Sequence, residues 1–281
     1  MLRKLEVNEF DKYVQFAYEL NMKAETSSYP IYYDGIKTKE EFINDEAYSL
    51  KSDTSEILLF IVQDKVIGWI NYYWIEEEKY LQVSTCSIKE SVSVLAKELV
   101  SYFNDRFNGY DLFIGFPEEN KDAINAFMEN GFRIHEESFN TNIIEVESIK
   151  TKEKSNDVLM ITKDNYSLFE TLHTETDEEM YWTSNRIYED LDNWLVFVSV
   201  KKSIPYGAIC AFVRGGFCEI FGLNFKDKFN SNIFMELVNV LLIECKKRKI
   251  KSIGFFVDEE ELLYAEKLGF KNIGKYIGLK K

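Results

Sequence analysis

The chain has little of what metal and nucleophile chemistry uses. Histidine occurs twice in 281 residues, at His135 and His173. A histidine-built metal site, or a Ser-His-Asp arrangement in each half, is disfavoured by that count. Cysteine occurs four times, at Cys86, Cys210, Cys218 and Cys245, and no two are spaced C-x-x-C. Three of them fall in strand-like runs, so the pattern reads as buried free thiols in a reducing compartment. Positive charge is also short: 34 Lys and Arg against 48 Asp and Glu leave a net charge of −14. That field repels a phosphate backbone, and no nucleic-acid partner is expected. It tolerates cationic small molecules or peptides, and it equally serves plain solubility. No apolar run is long enough to span a bilayer. The opening residues, Met1-Leu2-Arg3-Lys4-Leu5-Glu6, lack the apolar centre of a signal peptide. A cytoplasmic protein with no membrane partner is expected.

What is present is written twice. Phe60 matches Phe197, Gly68 matches Gly207, and Gln82 matches Glu219. The triplets Glu98-Leu99-Val100 and Glu236-Leu237-Val238 match, as do Ile114-Gly115-Phe116 and Ile253-Gly254-Phe255. Gly131-Phe132 matches Gly269-Phe270. All six lie in order at one offset of about 138 residues, too long for a solenoid unit and long enough for a domain. The polar, aromatic-free stretch 148–157 reads as a linker, with domains at 1–147 and 158–281.

Within the first copy, Phe10, Tyr13, Val14, Ala17 and Leu20 mark one helical face, with Asn8 as its N-cap. A short helix follows over 39–50. Strands are expected at 57–62, 66–74 and 80–88, the first two joined by a turn at Asp64-Lys65. Val92, Leu95, Ala96, Leu99 and Phe103 stripe a long helix. A strand at 110–116, a helix through Ala123, Ile124 and Phe127 closed by Gly131, and a last strand complete the unit. The second copy repeats this order, with strands near 194–200, 206–214, 217–225 and 251–257 and helices over 231–248 and 259–268. Each copy is therefore α/β (α+β): a mixed, mostly antiparallel sheet flanked by helices.

One stretch carries a family likeness. Asn120-Lys121-Asp122-Ala123-Ile124-Asn125-Ala126-Phe127-Met128-Glu129-Asn130-Gly131-Phe132 resembles the N-x-x-A-hydrophobic-x-x-Y-E-x-x-G-F pattern of the GNAT superfamily of acyl-CoA N-acyltransferases. Leu263-Tyr264-Ala265-Glu266-Lys267-Leu268-Gly269-Phe270 looks like the same ending in the second copy. The resemblance implies two tandem GNAT-like domains using acetyl-CoA as cosubstrate, with no metal, and a small amine as acceptor. It places a pyrophosphate-binding R/Q-x-x-G-x-G/A loop before the third helix of each copy.

In the first copy that loop is Ile88-Lys89-Glu90-Ser91-Val92-Ser93. Ser91 and Ser93 stand at the small-residue positions, Ile88 replaces the Arg or Gln, and Lys89 supplies charge. A helix N-terminus with close backbone approach holds a phosphate; the two serines read equally as helix N-caps. The second copy has Phe229-Asn230-Ser231-Asn232-Ile233-Phe234, where Phe234 is bulky and Lys226 and Lys228 lie close by. Asn120 matches a residue near the CoA arm and also reads as an N-cap.

The resemblance puts the general base at Glu219, on Cys218-Glu219-Ile220-Phe221, where the first copy has Gln82. Glu219 reads equally as a solvent-facing strand charge. The acid position is Phe127 in the first copy. In the second, Tyr264 stands one residue from it, and packing on the sheet is its other reading. The runs Met180-Tyr181-Trp182-Thr183-Ser184-Asn185-Arg186-Ile187-Tyr188 and Tyr29-Pro30-Ile31-Tyr32-Tyr33 wall an acceptor pocket for a cationic amine, or are core. The expected activity is acetyl transfer from acetyl-CoA to a small amine. The alternatives are a non-catalytic GNAT-fold binding or regulatory module and, against the acidic charge, an aminoacyl-tRNA-dependent transferase.

Overall fold

A computed structural model describes residues 1–33, 38–153, 155–173 and 181–281. The chain forms two compact units. The first is Met1–Ser138 with Gly274–Lys281, and the second is Phe139–Ile273.

The first unit contains β1 (Leu2–Lys4), α1 (Phe10–Asn21), α2 (Lys39–Ser49), β2 (Ser55–Val62), β3 (Lys65–Ile75), β4 (Tyr80–Ile88), α3 (Val92–Arg106), β5 (Asp111–Pro117) and α4 (Lys121–Glu129). The strand β6 (Arg133–Ile143) starts here and continues into the second unit. The second unit adds β7 (Val158–Met160), α5 (Ser167–His173), α6 (Ser184–Glu189), β8 (Trp194–Lys201), β9 (Ile204–Arg214), β10 (Phe217–Phe225), α7 (Ser231–Lys247), β11 (Ser252–Val257) and α8 (Glu259–Lys267). The final strand, β12 (Lys271–Lys280), ends in the first unit.

Sheet order in the first unit is β1-β2-β3-β4-β5-β12, and in the second β6-β11-β10-β9-β8-β7. Neighbours are antiparallel except β4–β5 and β10–β11, which are parallel. The expected boundaries therefore shift. Tyr276 to Lys280 of β12 pair with β5, and Phe139 to Ile143 of β6 pair with β11. The repeat tells where each strand came from, not which neighbour it hydrogen-bonds.

Nor is 148–157 a free linker. Lys152 exchanges both backbone bonds with the Asn239 amide (2.8 and 3.3 Å), and Ile149 packs partly on the second unit's core. Lys154 lies outside the described residues.

Alternating apolar residues put one core on each sheet face. In the first unit Ile70, Tyr72 and Leu81 pack under α3 and α4 with Leu99 and Phe103, while Leu59 and Trp69 meet Phe10 and Val14 of α1 on the other face. In the second unit Leu195, Phe197 and Ile209 meet Leu237 and Leu241 of α7, and Trp194, Val196 and Cys210 meet Phe169 and Leu172 of α5. All four cysteines are buried and unpaired. Among the described residues no helix is long and apolar enough to cross a membrane.

Local punctuation differs in two places from expectation. The turn between β2 and β3 is Gln63-Asp64 (φ 48° and 60°), with Val62 paired to Lys65. A two-residue hairpin of matching twist needs two left-handed residues, and Lys202-Ser203 does the same in the second unit. Asn8 is not the cap of α1. It lies in a 3-10 turn over Val7–Glu9, which Glu6 and Glu9 close as a capping box. Gly131 (φ +94°) does close α4, and Phe132 N–H reaches back to the Phe127 carbonyl (3.2 Å). Gly269 (φ +98°) repeats that ending after α8.

Candidate functional site

Ligands of α/β sheets collect beyond the carboxyl ends of parallel strands, where neighbours part. Each unit has one such place. β4 and β5 pair from Tyr80/Asp111 to Gln82/Phe113 and then separate. β10 and β11 pair from Phe217/Ser252 to Ile220/Phe255 and then separate. Just past each parting sits a bulge, with Ser84 the extra residue in β4 and Phe221 in β10. Gln82 pairs across to Tyr73 and Glu219 to Phe212, so the two copies agree in register as well as order. Bulges of this kind re-aim backbone groups beside active sites.

The two crevices differ in what fills them. In the first unit the chain fills its own. Ser28 N–H donates to the Cys86 carbonyl (3.0 Å), and Cys86 N–H donates to Ser28 Oγ (2.7 Å). Asn120, on the far side, donates from Nδ2 to the Ser27 carbonyl (3.2 Å), and Ser27 Oγ donates to Asn21 Oδ1 (2.6 Å). Ser27, Ser28 and Asn120 are all buried. Asn120 is also the N-cap of α4, its Oδ1 accepting from Ala123 N–H (3.4 Å).

The equivalent residue of Cys86 in the second unit is Leu223, paired to Ile209 as Cys86 is to Ile70. Lys226 N–H donates to the Tyr206 carbonyl (3.0 Å). Antiparallel pairs alternate, so the N–H and C=O of Leu223 point away from β9, into the crevice. Leu223 is half-buried, and among the described residues no hydrogen bond spans the crevice to it.

The helix that follows reverses the contrast. Ser91 takes a left-handed conformation (φ 63°) and its side chain caps nothing, so the first N–H groups of α3 are left open. Ser91 is thus the N-cap of α3 by position, its carbonyl accepting from Val94 and Leu95 N–H (both 3.1 Å), without a side-chain cap bond. Ser93 and Lys89 are exposed, Ile88 is core, and Val92 packs partly against the core. At α7, Asn230 Oδ1 accepts from Asn232 and Ile233 N–H (3.1 and 3.2 Å). Phe234 is fully buried against Phe229, Phe255 and Tyr264. Phe127 is likewise core, with no role at the crevice.

Glu219 lies on the face opposite α7, since its neighbours Cys218 and Ile220 belong to the α7 core. Across β8, β9 and β10 it continues a row, Trp194–Phe212–Glu219, of directly paired residues. Trp182 stacks on Phe212 (5.7 Å, 21°) and meets Phe221 edge-on (6.0 Å). Met180 lies outside the described residues. Tyr264 packs on Phe229 (5.5 Å), beside the start of α7, with Lys267 Nζ 4.6 Å from its ring centroid. In the first unit, Tyr29, Tyr33 and Tyr276 pack edge to edge.

One residue was given no role by the sequence reading. His173 is fully buried, and its ring joins Asn224 Oδ1 (3.2 Å) to the Trp182 carbonyl (2.9 Å), fixing Trp182 over the row. The signal was there in a lone histidine on an apolar helix, but only a partner distant in sequence gives it meaning.

No protein-family model matches the chain, and no curated protein matches it. Solved structures do. A GCN5-related N-acetyltransferase from Sphaerobacter thermophilus aligns with TM-score 0.69 and 11% identity, over 100% of this chain and 95% of that one. A glucosamine N-acetyltransferase region of a fungal multi-domain GH3 β-N-acetylglucosaminidase aligns with TM-score 0.68 and 10% identity, over 100% of this chain and 38% of that one. A tandem GNAT protein from the clavulanic acid biosynthesis pathway gives 0.57 and 9%, over 100% and 98%. The chain has the fold of the GNAT superfamily, the fold its repeated sequence resembles.

Proposed function

We propose that the chain is an acetyl-CoA-dependent N-acetyltransferase of a small amine, and that its second unit is the active one. The observation that carries this is the open β10 edge at Leu223, two strand turns from Glu219, set against the filled β4 edge at Cys86. An extended amide-bearing arm hydrogen-bonds to such an edge as a strand would. The thioester, when bound, supplies an activated acyl group. Glu219 takes the proton of the acceptor ammonium, and the bulge at Phe221 offers a backbone N–H to the thioester oxygen. The amine nitrogen adds to the thioester carbon, the C–S bond then breaks, Tyr264 gives its proton to the leaving sulfur, and the second proton lost by the nitrogen restores the Tyr264 hydroxyl by way of solvent. The fit to the donor's pyrophosphate is different from a bare helix N-terminus, because Asn230 already satisfies α7. Lys226 and Lys228, both exposed, are the cations that would meet it.

That same Asn230 cap favours a second reading, a non-catalytic module of this fold. Calorimetric titration with acetyl-CoA separates the two. Binding by the parent chain and by Ser91→Trp, lost in Asn232→Trp, supports the second unit as the donor site. Loss in Ser91→Trp alone moves the site to α3. No binding by folded protein turns the reading to the non-catalytic module.

A further inference from the structure

We propose, resting on the reading of the second unit as the active one, that Lys201, Tyr206 and Lys226 form a phosphate-binding corner, which takes a doubly charged phosphomonoester at the nucleotide end of the acyl donor. The observation behind this is a convergence of like charge. Lys201 Nζ lies 5.6 Å from the Tyr206 ring centroid, and Lys226 Nζ lies 5.2 Å from it. Each ring contact is favourable by itself, but two ammoniums at one ring repel each other. Both lysines are exposed, as are Lys202 and Lys228 beside them. Among the described residues none of these four lysines makes an ion pair, not even with Asp227, which stands between Lys226 and Lys228. In a chain of net charge −14, an uncompensated positive corner is a place for an anion from solution.

The repeat ties this charge to the open crevice. Lys201 ends the β8–β9 hairpin opposite Ile204, as Val62 ends the β2–β3 hairpin opposite Lys65. Lys226 N–H donates to the Tyr206 carbonyl (3.0 Å), as Lys89 N–H donates to the Ile67 carbonyl (2.9 Å). The first unit therefore has Val62, Ile67 and Lys89 where the second has Lys201, Tyr206 and Lys226. Val62 and Ile67 pack on the core and offer an anion nothing. The unit whose crevice Ser28 fills has one of the three groups, and the unit with the bare Leu223 edge has all three. Lys226 directly follows β10, and Tyr206 stands beside it on β9. Strands about 4.8 Å apart put β8 about 10 Å from β10, within the span of one nucleotide. The corner thus continues from the edge assigned to the arm and makes no use of the start of α7, which Asn230 already caps. Two ammoniums match the two charges of a phosphomonoester, whereas each phosphate of a pyrophosphate diester carries one.

The test uses the full chain and reads binding, not transfer. CoA and 3′-dephospho-CoA, which differ by one phosphomonoester, are titrated by calorimetry against the parent, Lys201→Gln and Lys202→Gln. The parent should bind CoA about ten-fold tighter. Lys201→Gln should remove that preference; Lys202→Gln, the same change of charge one residue away, should leave it in place. The preference should shrink as ionic strength rises. Equal affinity of the parent for the two, a preference that survives Lys201→Gln, or one that Lys202→Gln removes as fully, overturns the proposal. Adenosine 3′,5′-bisphosphate, titrated alone, separates this result from the transferase reading. If it binds in a Lys201-dependent way while neither CoA nor acetyl-CoA binds, the phosphate corner stands and the transferase reading falls. If inorganic phosphate binds as tightly as the bisphosphate, the assignment to a nucleotide end is overturned. No binding of any probe by folded protein also overturns it.

Discussion

Replacing Glu56 by Gln tests how the first unit is held together. Glu56, on β2, is 8% exposed and receives Arg106 from the end of α3 in a two-pronged contact, Nη2 to Oε1 at 2.8 Å and Nη1 to Oε2. Tyr72 Oη donates to it at 2.7 Å and Lys4 Nζ at 3.0 Å. Burial by itself would raise the carboxyl, but the hydrogen bonds from Arg106, Tyr72 and Lys4 outweigh burial and hold it at about 2 rather than 4.5. A difference of that size corresponds to about 3 kcal/mol. Arg106 and Lys4 are 37% and 62% exposed, so solvent screening reduces the figure to about 2 kcal/mol. Glu56→Gln keeps an acceptor for Tyr72 and loses the charge. The first unit should lose about 2 kcal/mol at pH 7, or about 6 °C in melting temperature. The sign with pH follows from a depressed carboxyl. Its contribution is complete above the unfolded value of 4.5 and is lost as pH falls toward 2. The gap between parent and variant should hold from pH 8 to 6 and narrow below about 5, as read by urea denaturation. A gap under about 0.5 kcal/mol at pH 7, or one that does not narrow by pH 3.5, refutes the reasoning.

Gly115→Ala places a Cβ 1.9 Å from Tyr276 Oη, and the Tyr276 ring cannot swing aside without leaving Tyr29 and Tyr33. A loss of about 3 kcal/mol is expected in thermal melts. Its repeat partner Gly254→Ala meets only the outer edge of Phe217 (2.8 Å), a half-buried ring, and should cost about 1 kcal/mol. Deleting residues 274–281 should expose the amides of β5 to hydrogen exchange while β8 and β9 stay protected, because β12 pairs with β5. Protection lost first in the second unit would contradict that pairing.

Most elements were legible because each carries its own period. The stripe Leu95, Leu99, Phe103 made α3, and alternation made β8 through β10. The repeat was legible because Gly131 and Gly269 sit at left-handed positions after helices of the same length. Three things were not. The exchange of final strands depends on which edge each strand meets, which no local period encodes. The filling of the first crevice depends on Ser27 and Ser28, two small residues with no pattern of their own, held by nearby Asn21 and by Cys86 and Asn120 from two distant segments. The state of the helix N-termini turned on one dihedral angle at Ser91 and one side-chain rotamer at Asn230. Glu219 was singled out because it is a charge in an apolar strand; Trp194, whose N–H meets no acceptor among the described residues, reads from the sequence as core.

The exchanged strands also bear on the order in which the protein can assemble during synthesis. Every residue of the second unit has been translated by Ile273, whereas the first unit waits for Gly274–Lys281. The half that emerges first from the ribosome is thus the last to close. Until it does, β5 presents a bare edge on which a neighbouring nascent chain could pair, and chaperone protection in that interval falls to the N-terminal half.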